Sequence, residues 1–158
     1  ACNKKVKEEA VVDPNANAGQ QTQPADQGTG ISEPGAFTAA DLDSNSCLMQ
    51  RVIYFDYDQD LLRPEYQAVV ACHTKYLRDR PSARMSLEGN ADERGTREYN
   101  LGLGERRSNA VASAFAGSGA DASRVNAVSY GEERPLCLDS DESCWSKNRR
   151  VEIVYSVK

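Results

Sequence analysis

The chain has 158 residues, a formal net charge of −5, and 27% charged against 39% hydrophobic residues. Its acidic balance, with a pI near 5.0, excludes non-specific nucleic-acid binding, which needs a basic face to release counterions. The sequence contains no apolar run of about 18 residues, so nothing in it reads as a membrane-spanning helix.

Cys2 comes first in the argument, ahead of a polar stretch. Bacterial lipoprotein precursors are cut just before a cysteine that then carries the lipid, and Ala1-Cys2 fits the tail of such a cleavage site. An ordinary free thiol is the alternative. From Asn3 to Gly35 there is no aromatic residue, and the large aliphatics are Val6, Val11, Val12 and Ile31. Such a composition buries too little apolar surface to offset its ordering entropy. Residues 1–43 are therefore expected to be a lipid-anchor site and disordered tether, with an r.m.s. span of roughly 35 Å. Residues 44–158 are expected to form the folded domain.

Arg51-Val-Ile-Tyr-Phe55 is β-branched and aromatic and predicts a strand, followed by the polar turn Asp56 to Asp60. Pro64 suits a first helical turn, and Tyr66, Val69, Val70, His73, Tyr76 and Leu77 recur at helical spacing up to about Asp79. Arg84 to Glu88 alternates as a second strand. A second helix runs from about Thr96 to Phe115, before the Gly117-Ser-Gly119 breaker. Val125 to Tyr130 is a third strand, Gly131 to Lys147 a long loop, and Val151 to Tyr155 a fourth strand. The order β-α-β-α-β-β implies an α/β (α+β) sandwich, a mixed sheet with helices on one face.

Cys47, Cys72, Cys137 and Cys144 suit an oxidising compartment. Cys137 and Cys144 bracket a polar loop and are the first-choice pair, which leaves Cys47 with Cys72 to tie the start of the domain to its first helix. A metal site is the rival reading, but the paired C-x₂-C spacing is missing, and no metal is expected.

The second helix carries the chemistry. Leu103, Ala110, Val111 and Ala114 share one stripe, and Arg107 lies inside it. A charge on an apolar face must be paired. Two readings stay open: a structural bridge from Arg107 to Asp92 or another carboxylate, or a guanidinium held to grip a ligand carboxylate. Asp92 precedes the helix, so helix capping competes with ligand binding there. Thr96 and Asn100 project towards the same end, and Asp56-Tyr57-Asp58 follows the first strand, where ligands gather in open α/β sheets. Together these groups suit an amino-acid head group. Catalysis is the weaker reading. His73 falls in the apolar pattern of the first helix, no G-x-S-x-G or H-E-x-x-H occurs, and a Glu88/Asp92 dyad would need a sugar-sized cleft. No enzyme activity and no cofactor are expected.

Several blocks occur in a telling order: Tyr54-Phe-Asp-Tyr-Asp58, Leu62-Arg-Pro64, Leu87-Glu-Gly-Asn-Ala-Asp-Glu-Arg-Gly-Thr-Arg-Glu-Tyr-Asn100, Leu103-Gly-Glu-Arg-Arg107, Ser129-Tyr-Gly-Glu-Glu-Arg-Pro135 and Trp145-Ser-Lys-Asn-Arg-Arg-Val151. From about Cys47 to Tyr155 the chain resembles the outer-membrane protein A-like domain family, in its peptidoglycan-associated lipoprotein branch. The resemblance implies an outer-membrane protein anchored through a lipid on Cys2, with its domain facing the periplasm. That domain would bind the peptidoglycan stem peptide without cleaving it. Meso-diaminopimelate would be held by Asp92 and Arg107, with Asp58, Tyr57, Thr96, Asn100 and Leu103 lining the site. A TolB-type periplasmic protein would be a second partner, and a protein-interaction module with little wall affinity is the alternative function. Alanine at Asp92 or Arg107 is expected to abolish binding with the fold intact. The chain departs from the family in carrying Asn90 where histidine is usual, and in its four domain cysteines.

Overall fold

The computed structural model describes residues 35–158. Cys2 and most of the expected tether lie outside the described residues. The compact unit begins at Phe37, several residues before the boundary at Ser44 expected from composition. The reason is packing: a short 3₁₀ turn at Ala39–Asp43 buries Leu42, the Phe37 N–H donates to Asp79, and Arg51 donates to the Leu42 carbonyl.

The strands are β1 (Val52–Tyr54), β2 (Arg84–Asn90), β3 (Val125–Gly131) and β4 (Arg150–Val157). The helices are α1 (Gln67–Asp79), α2 (Arg97–Gly117) and α3 (Glu142–Asn148). The sheet order is β1-β4-β2-β3, with β4 antiparallel to both neighbours and β2 parallel to β3. A mixed sheet with packed helices is the expected class. One element corrects the expectation: α3 begins inside the stretch read as loop from Gly131 to Lys147 and ends one residue past it. The Asp141 carboxylate caps it by accepting the Cys144 N–H, and Glu142 and Lys147 carry the signs that a helix dipole favours at its two ends.

Ile53, Met85, Leu87, Val151 and Ile153 present one sheet face to Val69, Val70, Tyr76 and Leu77 of α1 and Val111 and Phe115 of α2. Pro64 opens a 3₁₀ turn that leads into α1, and Pro81 follows its end, since the residue before proline is pushed out of helical geometry. His73 is fully buried: its Nε2–H donates to the Gln50 carbonyl, so its Nδ1 accepts from the Tyr155 hydroxyl. It is a core residue, as its place in the apolar pattern suggests.

Two glycines bring α2 down onto the sheet. A Cβ on Gly89 would stand 1.9 Å from the Gly104 carbonyl oxygen, and one on Gly104 would stand 2.3 Å from Ser129 Oγ. This contact fixes the height of α2 over β2 and places Arg107, three residues further along, at the sheet end. Both expected disulfides are formed, Cys47–Cys72 tying the segment before β1 to α1 and Cys137–Cys144 tying the loop after β3 to α3.

Candidate functional site

The turn after β1, the loop after β2 and the first turns of α2 meet around a cleft of about 170 Å³. It is lined by Tyr57, Asp58, Asp92, Arg94, Gly95, Tyr99, Asn100 and Leu103. Pockets for whole small molecules start near 300 Å³, so this one is sized for a side chain. A larger open trough of about 420 Å³ lies along Arg97, Glu98, Leu101, Tyr130, Glu132 and Glu133. We place the candidate site in the smaller cleft, because that is where buried charge converges.

Asp92 dominates the cleft electrostatically, with its side chain only 5% exposed. Its Oδ1 accepts the Arg94 main-chain N–H at 3.0 Å and Nε at 3.1 Å, and Oδ2 accepts Nη2 at 2.9 Å. Arg149 Nη1 stands 3.7 Å from Oδ2. Burial on its own would raise the Asp92 pKa, but the hydrogen bonds from Arg94 and the charges of Arg94 and Arg149 hold it below the usual carboxylate range. Asp92 is therefore ionised at neutral pH. Asp58, in the left-handed region at φ 55°, accepts the Tyr99 hydroxyl, which ties the β1 turn to α2. Asn100 is buried and donates to Glu132 at 2.7 Å. Thr96 does not line the cleft: it is the N-cap of α2, its Oγ accepting the Tyr99 N–H at 3.0 Å.

In place of the structural bridge to a carboxylate, one of the two readings left open by the sequence, Arg107 is anchored on main-chain carbonyls. It is fully buried beneath the site and, among the described residues, makes no ion pair with Asp92 or any other carboxylate. Nε donates to the Gln59 carbonyl at 2.8 Å, Nη1 to Asn90 at 2.9 Å and Nη2 to Asp56 at 3.0 Å. Burial pushes its pKa down to about 10, which still leaves it charged at neutral pH. The guanidinium joins the β1 turn to the end of β2, so its removal would strand three main-chain acceptors. The expectation that Arg107→Ala leaves the fold intact is corrected on that ground. Arg106 is on the solvated side as expected and pairs with Asp60. The Asn90 side chain stays out of the cleft, its Nδ2 donating to the Glu88 carbonyl.

Three participants escape a pattern reading. Arg94 is one; Trp145, whose ring centroid is 3.9 Å from the Arg94 guanidinium carbon, is another. Arg149 is the third: it forks onto Glu142 at 2.7 and 3.1 Å and donates from Nε to the Phe55 carbonyl. Asp92 and Arg94 are two apart in a loop, the spacing of an Asx turn, and that signal alone points to Arg94.

A family model described as the OmpA family matches residues 54–149. This chain belongs to the OmpA family. Within it, the chain falls in the peptidoglycan-associated lipoprotein branch. It is 43% identical over 121 residues to a Haemophilus influenzae protein of that name, covering 77% of this chain and 76% of the relative. It is 42% identical over 146 residues to the Pseudomonas putida protein of the same name, covering 92% and 80%. The crystal structure of the peptidoglycan-associated lipoprotein from Burkholderia pseudomallei superposes with a TM-score of 0.71 at 42% identity, over 73% of this chain and 98% of that one. The OmpA-family match spans the β1 turn, Asp92, Arg94 and Arg107, and ends at Arg149.

Proposed function

We propose that this chain is an outer-membrane lipoprotein, anchored through Cys2 and facing the periplasm, that binds the meso-diaminopimelate of the peptidoglycan stem peptide without cleaving it. In this reading it ties the outer membrane to the wall as part of a Tol-Pal system. The observation that carries the reading is Asp92, an ionised and nearly buried carboxylate in a cleft the size of one side chain. A diaminopimelate side chain ends in an ammonium and a carboxylate on one carbon. Asp92 and Asp58, which both line the cleft, offer the anions for the ammonium. Arg107 has five N–H groups and three main-chain acceptors, so two donors remain for the carboxylate. Reaching them requires the turn from Asp56 to Gln59 to shift, since Arg107 is fully covered. The cleft lining contains no histidine, serine or cysteine to act as base or nucleophile. The names of the relatives support the same reading.

Pull-down with isolated sacculi tests it. Removing one member of a buried, hydrogen-bonded charge pair commonly costs 2 kcal/mol or more, so Asp92→Asn should retain at most about one-thirtieth of the wild-type affinity. Undiminished retention would remove Asp92 from the site.

A second reading, a module whose main partner is a TolB-type periplasmic protein, draws on the exposed apolar groups at and beside the cleft. Tyr57, Tyr99 and Leu101 are 55%, 44% and 49% exposed, more apolar surface than a single polar head group needs. Competition between free stem peptide and such a partner separates the readings. Mutual exclusion supports one shared face, and independent binding refutes it.

A further inference from the structure

Arg94 occupies the place that the stem-peptide reading gives to a ligand's ammonium. With the main-chain N–H and Nε both on Asp92 Oδ1, that oxygen has its full complement of donors, and Nη2 takes one lone pair of Oδ2. While Arg94 stays, a second cation on Asp92 is left one lone pair of Oδ2, beside Arg149 Nη1 at 3.7 Å. The guanidinium is also flanked by two aromatic rings, its carbon 3.9 Å from the Tyr57 centroid and 3.9 Å from that of Trp145. Such contacts favour a cation held in this position.

The three arginines around Asp92 differ in how firmly they are fixed. Arg107 is fully buried on three main-chain carbonyls, and Arg149, 8% exposed, is forked onto Glu142. Arg94 is 30% exposed, has no main-chain acceptor for its guanidinium and sits in a loop beside Gly95. A second carboxylate is within reach, since Glu142 Oε1 stands 3.9 Å from Arg94 Nη2. Leaving Asp92 for Glu142 would exchange one ion pair for another and would expose no bare charge.

We propose that Arg94 is a resident cation in the Asp92 subsite, held by Tyr57 and Trp145, and that a ligand ammonium binds by displacing it towards Glu142. Arg94 then sets the affinity of the site by competing for it. The retaining wall is tied down from the other side. Trp145 and Glu142 belong to α3, which the Cys137–Cys144 disulfide and the Asp141 cap anchor, and Glu93 accepts both Trp145 Nε1 and Ser140 Oγ. The proposal takes its physiological ligand from the stem-peptide reading, but one arm of its test does not depend on it.

Trp145 is the only tryptophan in the chain, so its emission reports on Arg94 without a label. Arg94→Ala, Arg94→Lys and the wild type would each be titrated with methylguanidinium and, separately, with a meso-diaminopimelate stem peptide. Arg94→Ala should take up methylguanidinium with a change in Trp145 emission, whereas the wild type and Arg94→Lys, which keep a resident cation, should not. Losing two cation–π contacts and an ion pair should let Arg94→Ala bind the stem peptide about tenfold more tightly than the wild type. Saturating the wild type with peptide should move its Trp145 emission to that of free Arg94→Ala. Where the wild type binds the peptide, equal or weaker binding by Arg94→Ala overturns the proposal, as does a Trp145 emission that saturation leaves unmoved. If no chain binds the peptide but Arg94→Ala alone takes up methylguanidinium, the resident cation stands and the stem-peptide reading falls. If peptide binds and methylguanidinium does not, the reading stands and the resident cation falls.

Discussion

Charge burial in this domain works in two ways, and the residues show both. Arg107 is buried on carbonyl oxygens, whereas Asp92 is buried on two arginines that arrive from a loop and from the residue before β4. The first kind braces backbone; the second leaves a carboxylate to which a cation can bind. His73 shows the cost of burial without a charge partner. Desolvation pushes its pKa down to about 4, while the unfolded chain titrates near 6.5. Between those values the unfolded chain holds the extra proton, so stability is full above about pH 6.5 and falls as pH drops towards 4. Between pH 7 and pH 4.5 that preference costs about 2 kcal/mol of stability. Urea unfolding at pH 7 and pH 4.5 should show this loss in the wild type and a shallower one in His73→Asn. Parallel losses in the two chains would show that His73 does not carry the effect.

At the scale of elements, the contact between α2 and β2 decides where the site is. Gly89 has no room for a side chain, because its Cβ would press into the Gly104 carbonyl and not into a movable group. Gly89→Ala should therefore destabilise the domain by about 3 kcal/mol, the upper end for overpacking. It should lift α2, weakening ligand binding beyond what the lost stability explains. A melting temperature within a degree of the wild type would contradict this close approach. The elements themselves were largely legible: alternation marks β2 and helical spacing marks α1. Of the stripe read on α2, Leu103, Arg107 and Val111 are buried, whereas Ala110 and Ala114 are only half-buried and Phe115 takes the next buried position. The helix α3 was legible too, from Asp141 before Glu142 and Lys147 near the end, but two cysteines and a proline in the same stretch read more strongly as loop. Arg107's partners could not be read at all, because main-chain carbonyls have no signature in side-chain pattern. Arg94 was hidden for a related reason: its partner Asp92 already had a helix-capping explanation, and the rings that flank it come from distant parts of the chain.

For the whole molecule, the proposed function carries a kinetic consequence: a domain that binds a fixed wall lattice in many copies gains from weak single sites. Many copies facing one lattice meet it at high effective concentration, so release of individual copies stays fast while the layer stays attached. A resident cation in the ammonium subsite fits that requirement by keeping single-site affinity modest. The central claim is recognition of one carbon that bears both an ammonium and a carboxylate. Calorimetric titration of the full chain with a meso-diaminopimelate stem peptide, set against the same peptide carrying lysine, tests it most directly, since lysine lacks the distal carboxylate. With a charged hydrogen bond at stake, the diaminopimelate peptide should bind more than about tenfold tighter. Equal affinity for the two peptides, or binding of neither, would contradict the account.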